Sequence, residues 1–149
     1  MKGPVICGVD DSSAVSAVSV ARELAERYDL PLVYAHVLAP GESGQHAEAL
    51  VEEAATHKRA EIVIEQGHPA DRLVRLAQKR QASFLVLGNH GPRSSLLGSI
   101  SADVARRATC PVVVVPTTAA VTRAQSAAEP SAEGGIVRFA LGQAVRRVA

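Results

Sequence analysis

A doubly wound α/β domain, with a five-stranded parallel sheet and helices on both faces, is the fold class this sequence predicts. Three observations predict it. Five short β-rich runs alternate with helical segments between residues 4 and 116. The runs 84–87 and 112–115 are apolar at every position, as suits strands covered on both faces of a parallel sheet. Strand, helix and strand at this spacing imply right-handed crossovers.

The first strand is expected over 4–10, with Asp11, Ser12 and Ser13 as N-cap candidates for a helix running to about Arg27. In that helix Val15, Val18, Ala21, Leu24 and Ala25 form an apolar stripe. The second strand is 32–38, closed by Pro40-Gly41, and a helix is expected over about 45–58. The third strand is 60–65. Gly67-His68-Pro69 then turns the chain into a helix to about Arg80, since proline is well tolerated in a first helical turn. Leu73, Val74 and Ala77 face inward there. The fourth strand is 83–87, and a helix over about 99–108 turns Ile100, Val104, Ala105 and Ala108 inward. The fifth strand, 111–115, is stopped by Pro116. Residues 1–116 thus form the domain. Residues 117–135, rich in Ala, Thr, Ser, Glu, Pro and Gly, are expected to be a flexible linker. Residues 136–149 are either a docking segment or a mobile tail.

Composition narrows the function. At 149 residues the chain suits one compact domain. Apolar residues make up 47%, aromatic residues 3%, and Trp is absent, so the core is aliphatic. Scarce aromatics argue against stacking on single-stranded nucleic acid. Net charge is +1, from 16 basic and 15 acidic residues, which predicts no nucleic-acid partner. The basic pairs 79–80, 106–107 and 146–147 are expected on solvated helix faces or at C-terminal ends. Cys7 and Cys110 lie in or beside apolar runs without metal-ligand spacing, and are expected as buried thiols in a reducing compartment. No signal-peptide pattern opens the sequence, and no apolar run approaches the roughly 20 residues of a membrane span. A cytoplasmic protein without a membrane partner is expected.

Three loops lie at the carboxyl ends of strands, where doubly wound sheets bind ligands: 10–13, 38–44 and 88–99. The third, GNHGPRSSLLGS, carries the most chemistry. Its glycines let backbone N–H groups approach an anion, and a helix start follows. Ser99 either donates to a phosphate or caps its own helix, and Arg93 has the reach for phosphate oxygens. The alternative is a plain turn. Neither GxxxxGK[ST] nor GxGxxG is present.

Catalytic readings are weak. The five histidines show no metal-ligand spacing, so no metal site is expected. His90 is expected as an exposed loop residue and His68 as a turn residue. Asp10 and Asp11 are adjacent and point different ways, so they form no proton-sharing dyad. The serines lack a GxSxG elbow. No catalytic residue is assigned.

The order of elements resembles the universal stress protein family. The matching pieces span residues 4–116: VICGVDDSSAVSAV, LVYAHVLAP, EQGHPADRLVRLAQ and FLVLGNHG…LLGSISADVARRATCPVVVVP. The resemblance implies a Rossmann-like, universal stress protein type of fold. It implies that Asp10 and Val37 flank an adenosine, and that Gly88, Gly91, Gly98, Ser99 and Ile100 hold ribose and phosphates. It also implies a homodimer through strand 111–115, and a regulatory stress response with at most slow ATP hydrolysis. ATP, ADP or AMP is the implied ligand, with Mg²⁺ accompanying ATP on its phosphates. ATP-binding members show Gly-x2-Gly-x9-Gly-Ser/Thr. Here six residues, 92–97, stand between Gly91 and Gly98. Three residues of extended chain span about 10 Å, so the loop path must differ. Pro92 also removes a backbone donor. The shorter span implies a smaller ligand such as AMP or ADP. The alternative is a dimeric interaction protein of the same fold that binds no nucleotide and acts through its dimer surface or tail.

Overall fold

The computed structural model describes residues 2–9, 14–38, 41, 60–89, 98–116 and 146–147. The expected helix over 45–58 and linker over 117–135 lie outside these residues, as do the N-cap candidates Asp11, Ser12 and Ser13. The elements run β1 (Val5–Gly8), α1 (Ala14–Arg27), β2 (Leu32–Leu38), β3 (Ala60–Gln66), α2 (Pro69–Arg80), β4 (Phe84–Asn89), α3 (Ser99–Arg107), β5 (Val112–Pro116) and β6 (Arg146–Arg147).

The sheet order is β5-β4-β1-β2-β3-β6. The first five strands are all parallel, as expected. The sixth is antiparallel and two residues long, pairing Glu61 with Arg147 and Ile62 with Arg146. The basic pair 146–147 therefore lies in a strand, not on a helix face.

Winding direction places the helices. From β1 the chain moves outward to β2 and β3, then crosses back to β4 and on to β5. With right-handed crossovers, a reversal of direction moves the helix to the opposite face. Accordingly α2 and α3 contact each other, while α1 packs on β1, β2, β4 and β5.

The centre is aliphatic. Val5, Ile6 and Cys7 of β1 and Leu85, Val86 and Leu87 of β4 are fully buried. Each such aliphatic side chain contributes about 1.5–3 kcal/mol relative to exposure. In α1 the buried residues include Ala17, Val18, Ala21 and Ala25, and in α2 they include Leu73, Val74 and Ala77. In α3 the expectation fails at one position. Ala105 is exposed, and Ser101 and Val104 are the buried residues. A helix of nine residues covers the sheet with a narrow stripe, which Ser101 and Val104 occupy, with the C-cap residue Ala108 half-buried after them.

Turn chemistry follows from backbone angles. Asp29 and Gln81 end α1 and α2 in the left-handed region, at φ 50° and 49°. Behind them Leu30 N–H bonds Ala25 O at 2.8 Å and Ala82 N–H bonds Ala77 O at 2.9 Å. These bonds satisfy carbonyls that a helix end would otherwise orphan. Gly67, at φ +133°, turns β3 into α2, and a Cβ there would meet Arg72 Nε at 2.8 Å.

Candidate functional site

The β1–β4 ladder stops partway along both strands. Cys7 opposite Val86 is its last matched pair. Beyond that point each strand continues with its outer neighbour. Gly8 pairs with Ala35, and Val9 N–H bonds Ala35 O at 3.0 Å. Gly88 pairs with Val115 and Asn89 with Pro116. The carboxyl ends of β1 and β4 thus diverge where the winding reverses. That is the topological switch point at which doubly wound sheets receive ligands.

One side of this crevice is held by His36. Its Nδ1 lies 2.8 Å from Val9 O, and the carbonyl can only accept, so Nδ1 carries the proton. The imidazole is buried and ties the end of β1 to β2. Val37 follows it in β2, itself buried and in register with Glu65 of β3.

The other side is held by α3. Gly98 is its N-cap residue at φ −66°, ψ 160°, and its carbonyl accepts from Ala102 N–H at 2.9 Å. Glycine has no side chain to cap the helix, and bonds to β4 anchor its start instead. The Asn89 side-chain oxygen accepts from Gly98 N–H at 2.7 Å. Buried Ser101 donates its hydroxyl to Gly88 O at 2.9 Å. These bonds fix the helix start against the strand end. They also place the positive end of a helix dipole at the crevice. Ser99 is exposed in the first turn, and Ile100 is half-buried.

Of the eight sequence-assigned site residues, Val37, Gly88, Gly98, Ser99 and Ile100 fall at carboxyl ends of strands or at the helix start that follows. Asp10, Gly91 and Arg93 lie outside the described residues, as does His90. Sequence reasoning passed over Asn89, Ser101 and His36 as positioning residues. Ser101 had one available signal: it stands three residues before Val104 on the buried face of α3. Asn89 and His36 had none, because their partners are nine and 27 residues away.

The charged groups with shifted titration lie on the helices. Arg107 bonds Asp71 of α2 at 2.6 Å and Asp103 of its own helix at 2.9 Å. The hydrogen bonds from Arg107 and then Arg106 hold the Asp103 carboxyl below its usual range. Arg80 grips Glu61 of β3 with both terminal nitrogens, one at 3.0 Å from Oε2. Burial alone pushes the Cys7 thiol well above its usual value, so it is inert. Cys110 is half-buried rather than buried, and both thiols are free. Among the described residues no group of three or more His, Cys, Asp or Glu could hold a metal ion. Among the same residues, no helix is long and apolar enough to cross a membrane.

Similarity to known proteins agrees with this architecture. A sequence model of the Universal stress protein family matches residues 42–116. A universal stress protein of Mycobacterium tuberculosis is 47% identical over 55 residues, which are 35% of this chain and 38% of the relative's length. A solved structure of a universal stress protein in complex with cAMP is 32% identical with a TM-score of 0.68, covering 78% of this chain and 98% of its own. A universal stress protein from Archaeoglobus fulgidus in complex with dAMP is 22% identical with a TM-score of 0.58, covering 75% and 96%. That second likeness is one of fold.

Proposed function

This chain belongs to the universal stress protein family, and we propose that it binds an adenine nucleotide in the crevice between β1 and β4 to regulate a stress response. The observation that carries the proposal is the divergence of those strands beyond Cys7 and Val86, with a helix start anchored at the opening. Support comes from the 32%-identical structure in complex with cAMP.

In this reading Asp10 and Val37 flank the adenosine. Gly88, Gly91, Gly98, Ser99 and Ile100 line the ribose and phosphates, with Arg93 adding positive charge. The chemistry of the described part fits a phosphate, since backbone N–H groups at a helix start favour an anion. A Mg²⁺ ion would come with a di- or triphosphate, held largely by the phosphate oxygens. The output is a nucleotide-dependent change of shape or partner, with any ATP hydrolysis slow. We assign residues 1–116 to this domain, 117–135 to a linker and 136–149 to a C-terminal tail, within which Arg146–Arg147 pairs with β3. The free thiols suit the reducing cytoplasm.

The test is direct. Protein purified under native conditions is extracted with acid, and released nucleotide is identified by mass spectrometry. Calorimetric titration then compares wild type with Gly98→Val. The added side chain obstructs backbone approach and is expected to weaken binding by about tenfold or more, roughly 1.4 kcal/mol. Absence of binding by wild type to any adenine nucleotide up to millimolar concentration would overturn the proposal.

A second reading, an interaction protein acting as a homodimer through β5, is favoured by one observation. β5 ends the sheet with Val112 and Val113 half-buried, and no strand covers its outer edge among the described residues. Apolar edges of this kind invite pairing with another chain.

A further inference from the structure

We infer that His36 is a positioning residue that keeps the Val37 N–H out of the sheet and open to the crevice. Its consequence for ligand binding rests on the nucleotide reading above. The geometry follows from the β1–β2 ladder. Successive residues of a strand turn their N–H and C=O to opposite neighbours. Val5 N–H bonds Pro31 O and Val9 N–H bonds Ala35 O, so Val33, Ala35 and Val37 turn their backbone groups to β1. A regular parallel ladder would next join Val37 N–H to Val9 O. Here the ladder ends at Gly8 opposite Ala35, and Val9 O accepts from His36 Nδ1–H at 2.8 Å. A side chain takes the place of a backbone donor.

The substitution has a physical reason. Val9 is buried, and a buried carbonyl left without a donor is costly. β1 can leave its partner at this depth only if another group serves that carbonyl, and the imidazole serves it. The Val37 N–H then points toward β1 just past the last pair, on the side of the crevice where the reading above sets the adenosine. There it can donate to an acceptor atom of the ligand. Without the imidazole donor, Val9 O is best satisfied by the Val37 N–H. The ladder would lengthen by one step and spend that donor.

The experiment reads amide hydrogen exchange by NMR in ligand-free wild type, His36→Phe and His36→Asn, and measures AMP binding to each by calorimetry. Phe keeps a ring without a donor. Asn carries an N–H as many bonds from the backbone as Nδ1 of histidine. In wild type the Val37 amide is expected to exchange about tenfold or more faster than that of Ala35, which lies inside the ladder. In His36→Phe the Val37 amide should slow, and AMP should bind about fivefold more weakly, the order of one net hydrogen bond. His36→Asn should restore both. A merely structural histidine predicts the opposite sign, with exchange at Val37 speeding up together with its neighbours. That result would overturn the inference. So would equal protection of Val37 and Ala35 in wild type, a comparison that needs no variant to fold. Slowed exchange with AMP affinity unmoved would overturn the use of this donor by the ligand. Slowed exchange with no nucleotide bound by wild type would overturn the nucleotide reading and leave the role of His36 in the sheet standing.

Discussion

Gly3 shows what one residue can hold. A Cβ built there would lie 1.7 Å from Gln81 O and 2.7 Å from Gln81 C, both backbone atoms. Gln81 is itself fixed as the left-handed cap of α2. Two further bonds close the contact: Ser83 Oγ–H to Gly3 O at 2.7 Å and Ser83 N–H to Pro4 O at 2.9 Å. The backbone cannot retreat without opening the entrance to β1 and β4. Gly3→Ala is therefore expected to cost about 1–3 kcal/mol, the usual penalty of overpacking. Urea unfolding of the two proteins checks it, and an unchanged midpoint would refute the argument. Gly3 was not visible as special in the sequence. Its constraint comes from a loop 78 positions away, and a glycine near a terminus carries no periodic signal. The same holds for His36 and Asn89. Each makes a hydrogen bond to a residue that local sequence does not reveal, whereas Gly88 and Gly98 stand out by their spacing alone.

Elements were more legible than residues because burial repeats along them. The apolar runs of β4 and β5 and the proline opening α2 locate those elements to within a residue or two. Ala105 was misplaced because a short helix follows local contacts more than an ideal stripe. The joint between α2 and α3 was invisible for another reason: ion pairs between helices leave no pattern. Arg107 bridges Asp71 and Asp103 there, and the hydrogen bonds that Arg107 and then Arg106 donate to Asp103 lower its pKa. The sign follows from that lowering. A carboxylate with a depressed folded pKa stabilises above the unfolded carboxylate range, and the contribution is lost as pH falls through the folded value. Asp103→Asn is expected to reduce the melting temperature at neutral pH by about a degree, the effect of a surface pair, and to reduce it less once pH has fallen through the depressed folded pKa. Added salt should shrink the difference. Thermal unfolding across pH at two ionic strengths measures this. A difference between the proteins that grows as pH falls would contradict it.

At the scale of the whole molecule the sheet has two unlike sides. β3 bears β6 along Glu61 and Ile62, whereas β5 bears no strand on its outer side among the described residues. Leu85 N–H bonds Pro111 O, and Leu85 is in register with Val112, so the N–H groups of Val112 and Val114 point away from β4. Val112→Pro removes one outward donor and spares the ladder. It is expected to weaken self-association by about tenfold, which light scattering over a concentration series would register. Unchanged mass at every concentration would rule out β5 as the contact. The all-parallel character of the five main strands was foreseeable from their two-sided apolarity. The antiparallel β6 was not, since two arginines look like solvated surface and their pairing depends on the neighbour they meet.

That asymmetry sets a limit on growth. Two copies joined β5 to β5 present β3 at both ends of the combined sheet, and there each end already holds its own chain's β6. A twofold β5 contact of this kind would be closed in itself, and β6 would cover Glu61 and Ile62 on each outer β3 edge. Two arginines, Arg146 and Arg147, thus distinguish one flank of the sheet from the other.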